Sequence, residues 1–258
     1  MSSPVLPREP VDFQRPHPYP HVRPNKDELV EKKAVTIVVG FRCSDGIVIC
    51  ADRQITASGA FKYHQTKISS EEFDTFTAVF AYAGLPGIAK EVHDKIASLL
   101  RQLTLEDTAI RTVQETTDSV LSAMGRLYTD LNLQMLIGVT SQNEGADLLK
   151  FDGKAVHPAE NFNYLAYGES SLIRFLSEKL YSKEMNTKTG MDLGIYLVKK
   201  AEDYIDGCGG PIDVVILDQS ERSTHWFSQK VIQERLQKME MQERLLTDLL
   251  IRKPFSST

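Results

Sequence analysis

Three cysteines, no long apolar run and no excess of positive charge are the first features of this 258-residue chain, and each shortage excludes something. Cys43, Cys50 and Cys208 are odd in number and form no CxxC pair, which argues against a disulfide framework and against a zinc site. A reducing compartment, the cytoplasm, fits that usage. The longest strongly apolar stretch, around residues 47–51, is far short of the ~20 residues a membrane-spanning helix needs, so no membrane partner is expected. Lys+Arg 30 against Asp+Glu 35 leaves a net charge of -5 and no positive field for a polyanion, so nucleic acid is not an expected partner. Walker, dinucleotide, HExxH and GxSxG motifs are absent as well, and no cofactor or metal is expected.

What is present is a globular composition, 41% hydrophobic and 25% charged, behind an unusual start. Seven of the eleven prolines fall in the first 24 residues, with no hydrophobic periodicity between them. Proline fixes its own φ and donates no hydrogen bond, so this segment is expected to be an extended arm. It lacks the apolar region of a secretory signal. The tract from Pro16 to His21 reads as a polyproline-like tail rather than a metal site. The chain therefore divides into a Pro-rich extension over 1–33, a domain over 34–229, and a C-terminal amphipathic helix and tail over 230–258.

Within the domain the periodicity alternates. Val35, Ile37, Val39 and Phe41, then Ile47, Val48 and Ile49 after Ser44-Asp45-Gly46, predict a hairpin. Strands are expected over 61–68 and 75–83, and helices over 88–103 and 105–127. Further strands are expected over 133–140, 146–151 and 162–167, and helices over 169–182 and 189–205. A hairpin over 212–217 and 223–228 precedes a last helix over 230–251. That helix has Ile232, Leu236, Met239, Leu246 and Leu250 on one stripe as core cover, and a narrower stripe at Leu245 and Leu249. Strands apolar on both sides need cover on both faces. The fold class is thus α+β: a four-layer α-β-β-α sandwich of two antiparallel sheets, each backed by a helix pair.

The first hairpin is the best place for chemistry, because Thr36 begins it, Asp52-Arg53-Gln54 end it, and Lys67 follows. Whether these meet depends on the turn. A two-residue loop at Asp45-Gly46 puts Thr36 opposite Ile55 and turns Asp52 away, whereas a three-residue loop at Ser44-Asp45-Gly46 puts Thr36, Asp52 and Gln54 on one face. The sequence allows both turns.

The run Thr36-Ile-Val-Val-Gly-Phe-Arg-Cys-Ser-Asp-Gly46-Ile-Val-Ile-Cys-Ala-Asp52 resembles the opening strands of proteasome subunits, which are N-terminal-nucleophile (Ntn) hydrolases. The likeness continues through Gln65-Thr66-Lys67-Ile68, Ala83-Gly84, Gly168-Glu169-Ser170-Ser171 and Cys208-Gly209-Gly210. It implies that Thr36 is a nucleophile whose own α-amine becomes the base once Thr36 is the first residue. It also implies that Lys67 lowers the effective pKa of the hydroxyl, that Asp52 orients Lys67, and that the Gly84 N–H serves an oxyanion. Glu169 and Cys208 would stand where the family has supporting serines. The implied function is threonine-type breakdown of peptides or unfolded proteins by a ring-type homo-oligomer.

Three departures stand out. Val35 replaces the glycine before the nucleophile and crowds the bond to be cut. Glu169 and Cys208 alter the supporting network. Gln54 takes the place of an expected arginine, with Arg53 one position early. Residues 27–36 also resemble the run into the first strand of the family's non-catalytic α-type subunits, so a silent assembly or scaffold subunit is the alternative. A non-peptide amidohydrolase on the same fold is the third.

Overall fold

The computed structural model describes residues 36–56, 61–103, 108–124, 133–166 and 171–251. The Pro-rich extension, Val35 and Glu169 lie outside these residues.

The first hairpin pairs β1 (Ile37–Cys43) with β2 (Gly46–Asp52). Cys43 stands opposite Gly46 and Val38 opposite Ala51, so the loop is Ser44-Asp45 and the register is neither of the two expected. Two contacts select this turn. A Cβ on Gly46, at φ +156°, would lie 2.3 Å from the Leu217 carbonyl oxygen, so only glycine lets β2 approach its neighbour there. The Asp45 carboxylate accepts from the Thr187 N–H at 2.7 Å and from its hydroxyl at 3.1 Å, which ties the loop to the start of a helix.

Residues 61–68, expected as one strand, are two pieces. β3 (Gln54–Thr56) and β4 (Lys62–His64) form a small separate ribbon, and β5 (Ile68–Glu72) begins after a break. The two pieces have different partners: exposed residues 62–64 pair with β3, whereas the strand that starts at buried Ile68 pairs along the edge of the second sheet. Next come β6 (Phe76–Ala83), α1 (Pro86–Leu100) and α2 (Ala109–Met124). The chain continues through β7 (Gln134–Ser141), β8 (Gly145–Phe151), the unanticipated β9 (Val156–Pro158) and β10 (Phe162–Ala166). After α3 (Ser171–Leu180) and α4 (Thr187–Tyr204) come β11 (Ile212–Asp218), β12 (Thr224–Trp226) and α5 (Gln229–Ile251). α4 starts two residues earlier than expected because the Asn186 side chain caps the Thr189 N–H at 2.9 Å.

One sheet runs β10-β1-β2-β11-β12 and the other β5-β6-β7-β8-β9, every neighbouring pair antiparallel. The four-layer sandwich is therefore the observed fold. α1 and α2 cover the outer face of the second sheet around Phe80, Val92 and Val113. α3 and α4 cover the first around Phe41, Ile173 and Ile195. Between the sheets lies an aliphatic cluster that includes Val38, Ile49, Val79 and Leu136. α4 sits close: a Cβ on Gly194 would be 2.4 Å from Cys50 Sγ, and one on Gly190 2.6 Å from Cys43 Sγ. Trp226, the single tryptophan, stands 45% exposed on the edge strand β12.

The stripe of α5 is core cover in its first half alone. Ile232 and Leu236 are buried, but Leu246 and Leu250 are 57% and 72% exposed, as are Leu245 and Leu249 at 56% and 57%. At 1.5 Å per residue the helix is about 34 Å long and outruns the short β11 it packs on. Among the described residues, no helix is long and apolar enough to cross a membrane.

Candidate active site

Five chain segments end at one edge of the sandwich: the start of β1, the end of β2, the approach to β5, the end of β6 and the turn before β11. The β1–β2 ladder stops at Val38 opposite Ala51, leaving Thr36 outside it. Strand alternation governs residues inside a ladder, so it does not dictate where the Thr36 side chain goes. The Thr36 hydroxyl donates to Asp52 Oδ1 at 3.1 Å although the register differs from the one expected to bring them together.

Asp52 is fully buried and accepts from every side. Oδ1 takes the Thr36 hydroxyl, the Ile37 N–H at 3.0 Å and Lys67 Nζ at 2.6 Å. Oδ2 takes the Gln54 and Gly209 N–H groups, each at 3.2 Å. These charge-assisted bonds offset the cost of an ionised carboxylate in the interior.

Lys67, 1% exposed, reaches in from the break before β5. It donates to Thr36 Oγ1, to Asp52 Oδ1 and to the Gln54 carbonyl oxygen at 2.8 Å. An ammonium has three donors and no acceptor, so Lys67 is saturated. Burial pulls its pKa below the ordinary lysine value, with the Asp52 charge and hydrogen bond acting the other way. A saturated ammonium can lower the cost of forming a Thr36 alkoxide, but it cannot accept the hydroxyl proton. A base must come from elsewhere.

Of the remaining expected residues, Gly84 (φ +135°) follows the end of β6, two residues beyond Tyr82, whose N–H bonds the Lys67 carbonyl at 3.1 Å. It thus sits at the same edge, ahead of α1. Cys208 lies in the turn before β11, and burial, reinforced by Asp52, pushes its thiol up to about 12. Burial likewise pushes Cys43 up to about 12 and raises Cys50. A thiol so shifted is about one part in ten thousand thiolate at pH 8, and thiolate is the reactive form. Native protein at pH 8 should therefore show no fast-reacting thiol with Ellman's reagent, and three in guanidinium. A rapid reaction at Cys208 would refute its place as a packed residue.

The arginine that stands one place early has its own partner. Arg53 binds Asp213 Oδ1 through Nε at 2.8 Å and Nη2 at 2.5 Å. Asp213 was not anticipated from sequence; the signal available was a carboxylate inside the apolar run Ile212-Asp213-Val214-Val215. Equally unforeseen was the Gly209 N–H on Asp52, which depends on a turn that residue patterns do not specify. Among the described residues, no group of three or more His, Cys, Asp or Glu is arranged to hold a metal ion.

Two antiparallel sheets packed face to face between two helix layers are the sandwich of the Ntn hydrolases. Within that class the chain belongs to the proteasome subunit family, whose family model, "Proteasome subunit", matches residues 32–217. Proteasome subunit beta of Methanococcoides burtonii is 27% identical over 195 residues, covering 72% of this chain and 89% of the relative. Proteasome subunit beta of Methanosarcina barkeri is 26% identical over 186 residues, covering 70% and 85%. Among solved structures, Anbu (ancestral beta-subunit) from Yersinia bercovieri superposes with a TM-score of 0.70 at 16% identity, over 86% of this chain and 100% of that one. The helical assembly of the Anbu complex from Pseudomonas aeruginosa gives 0.67 at 16% identity, over 86% and 99%.

Proposed function

We propose that this chain is a threonine-type peptidase subunit, active once Thr36 is the first residue, working in a homo-oligomeric ring or helical assembly on peptides or unfolded proteins in the cytoplasm. The observation that carries the reading is the Lys67 ammonium donating to Thr36 Oγ1 while Asp52 holds both groups. Because Lys67 is saturated, the base is the freed α-amine of Thr36, whose reference pKa of ~7.7–8.0 suits neutral pH.

The α-amine takes the hydroxyl proton as Oγ1 attacks the substrate carbonyl, and Lys67 stabilises the oxygen that attacks. The Gly84 N–H steadies the oxyanion. The C–N bond breaks, the leaving amine receives the proton, and an ester to Thr36 remains. Water, deprotonated by the same amine, then releases the acid and restores the hydroxyl. The 70–72% coverage by proteasome beta subunits supports peptide hydrolysis, and the Anbu complex supports a multi-subunit assembly.

The second reading, a silent assembly subunit, is favoured by Val35 before the nucleophile and by the burial of Thr36, which is 4% exposed. Intact mass and N-terminal sequencing of the purified chain separate the two. Processing removes residues 1–35 and leaves Thr36 first. Thr36→Ala abolishes both that cleavage and peptidase activity; activity unchanged in this variant rejects the peptidase reading. An uncut, inactive parent selects the scaffold.

A further inference from the structure

The turn over 207–210 has almost nothing of its own to hold it. Gly207, Gly209 and Gly210 all have positive φ, at 99°, 148° and 82°, and between them only Cys208 has a side chain. Glycine-rich backbone loses the most conformational freedom on ordering. Yet this turn supplies the Gly209 N–H that sits on Asp52 Oδ2.

The Cys208 N–H donates to the Ile205 carbonyl at 3.3 Å, and the other bonds that fasten the turn, apart from the one to Asp52, come from Gln54, which is 8% exposed. Its side-chain amide donates to the Gly207 carbonyl at 2.6 Å. Its N–H donates to the Gly209 carbonyl at 2.9 Å. The amide lies in van der Waals range of the turn: a Cβ on Gly209 would be 3.4 Å from Gln54 Oε1. The same residue's carbonyl receives Lys67 Nζ. One residue thus touches the lysine, the aspartate and the turn that completes the aspartate's shell.

We propose that Gln54 is a positioning residue: its side chain clamps the turn over 207–210 so that Gly209 stays on Asp52, and Asp52 in turn stays on Thr36 and Lys67. The arginine that precedes it is engaged by Asp213, leaving this task to a neutral amide. The catalytic half of the inference rests on the threonine reading above. The clamp itself does not.

The test uses the full chain and three proteins: parent, Gln54→Leu and Gln54→Arg. Hydrogen exchange by mass spectrometry follows the turn without needing activity, and a peptide vinyl sulfone titrates Thr36. In Gln54→Leu, exchange over 207–210 rises about tenfold, the factor that ~1.4 kcal/mol produces, which lies within the range for losing one hydrogen bond. The maximal rate of Thr36 modification falls about tenfold while the half-saturating probe concentration holds, because the group lost does not touch the probe. Gln54→Arg keeps a donor for the Gly207 carbonyl and returns both readings to within about threefold of parent.

Unchanged exchange in Gln54→Leu overturns the clamp. Raised exchange with an unchanged rate overturns the positioning role. A parent that never reacts with the probe rejects the threonine reading, and the positioning role with it, while the exchange data still decide whether the clamp exists.

Discussion

Lys67→Met destabilises the chain by about 3–5 kcal/mol, the range for removing one partner of a buried ion pair. The substitution is nearly isosteric, so packing contributes little. What remains is a fully buried Asp52 carboxylate that has lost its cation. The four other donors on Asp52 are neutral and cannot replace a full charge. The partner experiment is Lys67→Met combined with Asp52→Asn, which removes both charges and should be less destabilising than Lys67→Met alone, a coupling readable in a double-mutant cycle of denaturant midpoints. If Lys67→Met costs under ~1 kcal/mol, the pair is solvated and the buried-triad account fails.

Gly46→Ala should cost about 3 kcal/mol or more, combining overpacking of ~1–3 kcal/mol with backbone strain of ~1–3 kcal/mol. The new Cβ would meet the Leu217 carbonyl oxygen at 2.3 Å, and that atom belongs to a strand. Neither side can yield, because Gly46 is paired with Cys43 across one ladder and Asp218 across the other. Gly138→Ala is the control. Its Cβ would meet a methyl of the Ile47 side chain at 3.2 Å, which can give way, so the loss should stay under ~1.5 kcal/mol. Equal losses in the two variants would refute the argument from the β2–β11 approach.

The contrast between these glycines shows where residue patterns stop. Alternation and helical period were enough for the two sheets, the helix pairs and the order of elements, because burial on one or both faces leaves a direct mark in the sequence. The loop at Ser44-Asp45 was not legible, since the atoms that choose it, the Leu217 carbonyl and the Thr187 N–H, are more than a hundred residues away. Thr36, Asp52 and Lys67 were legible as a set through family resemblance; strand alternation, which would put Thr36, Asp52 and Gln54 on one face, does not govern Thr36, because it stands outside the ladder. The strand assigned over 61–68 failed for a related reason: apolar and polar residues alternate there while the chain passes from an exposed ribbon to a buried lysine. In α5 the expected stripe covers the core at Ile232 and Leu236 but not at Leu246 and Leu250, because periodicity does not report how far a helix outruns the sheet beneath it.

Trp226 governs how all these stabilities are to be observed. A lone indole already 45% exposed on an edge strand should shift less in emission when the layers separate than a buried one would. Far-ultraviolet circular dichroism, reading five helices among the described residues, is the optical signal that follows the sandwich itself.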